Sequence, residues 1–169
     1  MELKFTVSGR IAKPVHEVFE AVADPKQLSS YFTTGGAKGR LETGAAVTWD
    51  FHDFPGAFPV KVVKVEQDKE IVLLWEASED VPEEIGLDRG EIQGGGYDTE
   101  VRIAFTGLDD GGTMVSITES GWRETAAGLR ASYGNCGGWM QMLACMKAYL
   151  EYGIILREGF FNAKPLPAG

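Results

Sequence analysis

Glu119 is the residue of this sequence best placed to do chemistry. It follows Val115 and Ile117 at intervals of two, so on an extended strand the three share a face. If that face is the inner one, a carboxylate stands in an apolar interior. Burial then raises its pKa and suits it to act as a general acid, a general base or an anchor for a ligand. Alternatively, Glu119 sits near the strand end and reaches solvent, as most glutamates do. Glu76 has the opposite parity from Trp75 and is expected outside. Arg123 and Arg130 precede the last helical region, where they could meet an anionic group at the mouth of an interior. Plain surface charges are the better reading of both.

Other reactive side chains lack partners. His16 and His52 have no neighbour at metal-ligand spacing, and each falls on the polar side of its element. Neither a metal nor another cofactor is expected. Gly121-Trp122 and Ser8-Gly9 do not form a nucleophile elbow. Cys136 is expected near a helix N-terminus, where a thiol pKa can fall, but a small residue packed beside glycines explains it better. Gly94-Gly95-Gly96 lacks the Lys-Ser/Thr pair of a phosphate loop and reads as a flexible loop.

The elements that position these groups are legible from periodicity. Residues 2–12 alternate Leu3, Phe5, Val7 and Ile11 against Glu2, Lys4, Thr6 and Arg10, which predicts a half-buried strand. Pro14 opens a helix whose apolar face is Val15, Val18, Phe19 and Val22. Asp24-Pro25 ends it and starts a second helix, with Asp24 as N-cap and Pro25 as first residue; Leu28, Tyr31 and Phe32 supply its apolar face. The Gly35-Gly36 and Gly39 region reads as a turn. Strands follow over 46–52, 59–66, 70–77, 99–107 and 113–121. The short connections Gln67-Asp68-Lys69 and Asp109-Asp110-Gly111-Gly112 are hairpin loops, so the sheet is antiparallel. Residues 79–98 break the pattern and are expected to form a long mobile insertion. A short helix is placed around Arg123–Leu129, and a long one over about 135–157. The long helix carries the apolar stripe Trp139, Met142, Leu143, Met146, Tyr149, Leu150 and Ile154, with Gln141, Lys147 and Glu151 away from it. Residues 164–169 are expected to fray. Residues 1–169 are read as one domain.

A six- or seven-stranded antiparallel sheet must bury one face, and the long amphipathic helix is its natural cover. The residues aimed between sheet and helix are bulky and soft. Phe19, Phe32, Trp49, Phe51, Trp75, Phe105, Ile117, Glu119, Trp139, Met142, Met146 and Tyr149 are the candidate lining of an apolar cavity for a small molecule. The same stripe would also serve simply to fill a core.

The net charge of −9, from 25 acidic and 16 basic residues, repels polyphosphates and anionic lipid surfaces. Nucleic acid and membrane insertion are therefore not expected. No stretch approaches the ~20 apolar residues of a bilayer span, and the interleaved charges of residues 2–5 do not resemble a signal peptide. Cys136 and Cys145 lie nine apart in a helical segment, about 13.5 Å along its axis. That is too far for a disulfide, so free thiols and a cytoplasmic location are expected.

The order of elements and motifs resembles the START-like, Bet v 1-like (SRPBCC) helix-grip superfamily, in particular the branch named for the C-terminal domain of the heat-shock-protein-90 ATPase activator. The matching residues are Ile11-Ala12-Lys13-Pro14 with Val18-Phe19, Ala23-Asp24-Pro25, Tyr31-Phe32, Gly44 with Val47-Thr48-Trp49, Ile71 through Trp75, Gly112-Thr113 with Val115, Ile117 through Trp122, and Gly138-Trp139. The resemblance implies an α+β helix-grip fold and an internal apolar pocket. It admits three functions. The first is a non-catalytic binder of an apolar or amphipathic small molecule. The second is a cyclase- or dehydrase-type enzyme using Glu119, and the third an interaction module of a chaperone ATPase, as monomer or dimer.

Overall fold

The computed structural model describes residues 1–79 and 94–161. The chain runs β1 (Leu3–Ile11), α1 (Val15–Ala23), α2 (Pro25–Tyr31), β2 (Gly36–Lys38), β3 (Ala46–Phe51), β4 (Phe54–Glu66), β5 (Glu70–Ser78), β6 (Gly94–Gly107), β7 (Thr113–Trp122) and α3 (Ala126–Tyr152). The strands form one seven-stranded antiparallel sheet in the order β1-β7-β6-β5-β4-β3-β2. The two short helices carry the chain from one edge of the sheet to the other. The sheet curves around α3, which is the expected helix-grip arrangement.

Local chemistry explains the boundaries. Asp24 accepts a hydrogen bond from the Lys26 N–H at 2.8 Å, with Pro25 at the first helical position. Thr125 caps α3 by accepting from the Gly128 N–H at 3.0 Å, and Gly153 closes it in the left-handed region. Gly128 has no room for a side chain, because a Cβ there would lie 2.1 Å from the Arg123 carbonyl oxygen. This cap starts α3 at Ala126, so the short helix and the long helix expected separately are one, and it ends before Ile154. Cys136 therefore lies in the middle of a helix rather than near its N-terminus.

Three further expectations change. The turn region after α2 includes the short edge strand β2, paired with β3. Gly94 to Asp98, read as part of the insertion, belong to β6, where Ser78 pairs with Gly94 and Glu76 with Asp98. Residues 80–93 and 164–169, on which the insertion and tail expectations fall, lie outside the described residues. Finally, Gln141 does not face solvent: it is buried and its amide approaches Cys145 Sγ at 3.3 Å.

The inner face of the sheet carries Val47, Trp49, Val60, Val62, Ile71, Leu73, Val101, Ile103, Val115 and Ile117 against Trp139, Met142, Leu143 and Met146 of α3. The outer face is polar, with Thr6–Thr118 and Ser8–Ser116 hydroxyl pairs at 2.8 Å and a Lys64–Glu70–Arg102 ion cluster. This in–out alternation is why the periodicity was readable. Mid-helix, Gly137 and Gly138 are not demanded by packing, since a Cβ on either would meet nothing within 4 Å. Each weakens α3 by about 1 kcal/mol relative to alanine.

Candidate functional site

Strand register brings three side chains of the sheet together. Val101 on β6 is paired with Glu119 on β7, and Thr99, two residues along the same face of β6, is paired with Trp75 on β5. Trp75, Thr99 and Glu119 therefore line one diagonal of the inner face. Across from them, Asn135 and Trp139 stand one helical turn apart on α3 and share a face. The beginning of α3 at Ala126 is what gives Asn135 this place.

Glu119 is 0% exposed. Its Oε1 accepts from Trp75 Nε1 at 2.9 Å, Thr99 Oγ1 at 2.6 Å and Asn135 Nδ2 at 3.2 Å; its Oε2 accepts from Trp139 Nε1 at 2.8 Å and Asn135 Nδ2 at 3.1 Å. The inner-face reading of Glu119 is correct, and the solvent-reaching alternative is excluded. No cation touches the carboxylate in these bonds. Burial raises its pKa above the ordinary glutamate value, and the four donor groups pull it partly back. Both indole N–H groups can only donate, so the geometry serves the carboxylate form with both oxygens as acceptors.

The aromatic candidates divide. Phe32, Trp49, Phe51, Trp75 and Trp139 form one cluster over Glu119. Trp75 and Trp139 lie 5.5 Å apart between centroids, Trp49 and Trp75 5.9 Å, Phe32 and Trp49 5.7 Å, and Phe32 and Phe51 5.1 Å. These separations are those of rings in direct contact, so the space between sheet and helix here is occupied by side chains packed on one another. Phe19 and Phe105 pair edge-to-face at 5.5 Å elsewhere in the core, and Tyr149 stacks on Tyr31 at 5.4 Å. Ile117, Met142 and Met146 are fully buried. One polar atom of the cluster is not satisfied: among the described residues, Trp49 Nε1 is buried without a hydrogen-bond partner, as are Trp122 Nε1 and Arg157 Nε.

The remaining candidates lie apart from Glu119. His16 contacts Asp68 and His52 contacts Thr34, both at the surface. Arg123 stacks over Tyr97 at 4.3 Å, and Arg130 is exposed. Both cysteines are free, and burial pushes the Cys145 thiol up. Among the described residues, no group of His, Cys, Asp and Glu could hold a metal ion, and no helix is long and apolar enough to cross a membrane. A surface depression of about 290 Å³ lies beside Phe19, between Glu20, Arg40, Glu42 and Thr43.

The family model described as Activator of Hsp90 ATPase homolog 1-like protein matches residues 12–151. The chain belongs to the Aha1-like branch of the SRPBCC helix-grip superfamily. No curated protein matches it. Among solved structures, it is similar to the protein SSP2350 from Staphylococcus saprophyticus, with 22% identity, 92% of this chain and 96% of that one covered, and a TM-score of 0.69. It is also similar to DynU16, from the dynemicin biosynthetic locus, with 24% identity, 91% and 49% covered, and a TM-score of 0.70. The Aha1 dimer from Colwellia psychrerythraea matches at 20% identity, with 89% and 98% covered and a TM-score of 0.63.

Two residues of the site in this Aha1-like chain escape sequence reasoning. Thr99 sits where the insertion was expected to give way to a strand, and a lone threonine carries no signal. Asn135 looked like the first residue of a helix, and only its spacing of four from Trp139 hints that the two share a target. The buried pair Asp53–Arg157 was also missed, because its partners lie far apart in sequence and pair only through the fold.

Proposed function

We propose that this Aha1-like chain is an interaction module that engages a chaperone-class ATPase through the outer side of α3 and the segment following it. The observation that carries this reading is a contrast in satisfaction. The interior aromatic rings pack on each other and Glu119 is saturated with donors, whereas Leu129, Tyr133 and Met140 form an unpaired apolar stripe on α3, with Tyr133 69% and Met140 49% exposed. Tyr152, Ile154, Ile155 and Leu156 extend the exposed apolar surface. Between Ala126 and Met146 the helix carries one charged residue, Arg130. In a chain of net charge −9 that neutral stripe suits an apolar partner surface. The match to an activator family supports the choice of partner.

A purified Hsp90-class chaperone is the test. Calorimetry is expected to detect a complex, and Tyr133→Asp with Met140→Asp is expected to weaken it by at least about tenfold while leaving the melting cooperative. No complex with the unaltered chain, or an unchanged affinity in the double variant, would overturn the proposal. Two free thiols suit the reducing cytoplasm in which such a partner would be met.

A second reading has its own support in Trp49 Nε1, a buried donor without a partner inside the aromatic cluster. On this reading the interior admits a small molecule. Binding is favoured over catalysis by Glu119, because its oxygens are already engaged by Trp75, Thr99, Asn135 and Trp139. A substrate would have to displace one of them before any proton could move. The two readings use different surfaces, so an interior ligand and an exterior partner are compatible.

A further inference from the structure

We infer that the chain pairs with a second copy of itself along the free edge of β1, which continues the sheet across a two-fold axis and sets the exposed seams of two α3 helices against each other. This goes beyond the chaperone reading and does not depend on it. Among the described residues β1 has β7 as its one partner in the sheet, so its other side is an edge. Two bonds from α3 show which backbone groups face that edge. Lys147 Nζ donates to the Arg10 carbonyl at 3.2 Å, and Glu151 Oε2 accepts from the Ala12 N–H at 3.1 Å. Backbone groups alternate sides along a strand, so those of Lys4, Thr6 and Ser8 point the same way. Lys147 and Glu151 thus plug one end of the edge. Among the described residues, nothing bonds to the edge-facing groups of Lys4, Thr6 and Ser8. A row of this kind is a template for another strand.

The layers beside this open window are also incomplete. Val115 and Ile117 of β7 are fully buried, whereas Phe5 and Val7 on the same inner face of β1 are only partly covered. Leu129, Tyr133, Cys136, Met140, Leu143 and Lys147 recur at alternating spacings of four and three, the pattern of a seam between two helices. Leu143 lies against Gly9 and Lys147 against Arg10, so the seam runs beside β1. Its earlier members Leu129, Tyr133 and Met140 are exposed.

Charge selects a second copy and its register. Glu2, Lys4, Thr6, Ser8 and Arg10 share the outer face of β1. Antiparallel pairing centred on Thr6 places Glu2 of one copy opposite Arg10 of the other, twice by symmetry, and Phe5 opposite Val7 on the inner face. It joins the open groups of Lys4, Thr6 and Ser8 to one another and stops where Lys147 begins. Sliding the register by two residues in one sense sets Lys4 opposite Arg10, a like-charge clash. In the other sense Glu2 faces Ser8 and both ion pairs are lost. Arg10 holds Asp110 through Nη2, which leaves Nη1 for the new pair. From Arg10 back to Thr6 is about 13 Å of strand, or about nine residues of helix, so the axis meets α3 near Gly137 and Gly138. A Cβ on Gly137 would touch nothing within 4 Å, which suits close approach of two helices.

Sedimentation of the full chain at rising concentration, with amide exchange followed by NMR, tests the pairing. A dimer is expected to form by about 1 mM, the weak end of specific affinity, and the Lys4, Thr6 and Ser8 amides should slow in exchange as it forms. Thr6→Pro removes an N–H that the single copy does not use, so the variant should melt cooperatively yet stay monomeric. Glu2→Lys, which opposes like charges twice, should weaken the dimer by at least about fivefold. A chain that is monomeric throughout, or a Thr6→Pro dimer as tight as the unaltered one, would overturn the inference. A dimer indifferent to Glu2→Lys would overturn the register. If Thr6→Pro does not fold, the unaltered chain still decides, because a dimer in which the three amides exchange freely is not joined through β1. Thr6→Pro leaves Leu129, Tyr133 and Met140 in place, so loss of the dimer and loss of a chaperone complex are separate results.

Discussion

Replacing Glu119 with glutamine is expected to destabilise the fold by about 1–3 kcal/mol, the cost of leaving a buried donor unpaired. The substitution is nearly isosteric, so the loss is chemical. A glutamine offers one acceptor oxygen and one NH2 group. If the NH2 takes the Oε2 position it faces the Trp139 indole N–H, and if it takes the Oε1 position it faces the Trp75 indole N–H. Thr99 can turn its hydroxyl to accept, but neither indole can. Whichever way the amide turns, two donors confront each other in the core. Glu119→Ala leaves all four donor groups unpaired and adds a cavity, so it should cost more than the glutamine variant. Urea denaturation read as a lower midpoint at unchanged slope is the measurement.

The same carboxyl sets a pH dependence that the variant should lose. Burial holds the Glu119 pKa above its ordinary value in the folded chain. The folded state therefore binds the proton more readily than the unfolded state. Its contribution to stability is fully present below the ordinary glutamate value and is lost as pH rises from there through the raised value. Glu119→Gln has no such slope. The pairs Glu70–Lys64, Glu20–Arg40 and Glu151–Lys147 act in the opposite sense, since their partners hold these carboxyls below the usual range and their help fades on acidification. These groups lie at the surface and are screened, so their share is small.

The second large effect is expected at the far end of the sheet. Asp53 lies in the turn between β3 and β4, and its carboxylate receives both terminal nitrogens of Arg157 at 2.5 and 2.7 Å. The side chains are 0% and 2% exposed. Phe161 lies 5.1 Å and Phe51 5.9 Å from the guanidinium carbon. Asp53→Ala would strand a buried cation whose Nε already lacks a partner, for a loss of about 3–5 kcal/mol. The aromatic faces recover part of that at most. Combining Asp53→Ala with Arg157→Met removes the charge as well and should restore much of the stability, so the double variant separates an uncompensated charge from lost packing. Functionally, the pair fixes the exposed segment Ile154–Leu156 between the end of α3 and the β3–β4 turn. A destabilised clamp is expected to blur that surface.

Alternation in β1, β3 and β7 is readable because one face of each strand is buried and the other more exposed, so hydrophobicity reports the period directly. Asp24-Pro25 was readable because capping is local chemistry. Helix α3 was harder. Its first turns carry Arg130, Tyr133, Gly134 and Gly137, which do not trace an apolar stripe, so periodicity places the start of the long helix about nine residues late. Gly94 to Asp98 were hidden by their composition, because a run of glycines looks like a loop even where β5 supplies hydrogen bonds. Parity alone pointed Glu119 inward, but its partners depend on register and on the helix facing the sheet. Neither is encoded within a short window. The aromatic stripe was visible, yet composition cannot tell rings that line a space from rings that fill it.

Glu119 is sealed between sheet and helix as the acceptor for Trp75 and Trp139. Hydrogen exchange at the indole nitrogens, followed by NMR, asks this directly. The Trp75 and Trp139 indole protons should exchange as slowly as the most protected amides of β6 and β7, opening only when the whole domain unfolds. Exchange at the rate of a surface indole would mean that water reaches the carboxylate, and the closed interior described here would be wrong.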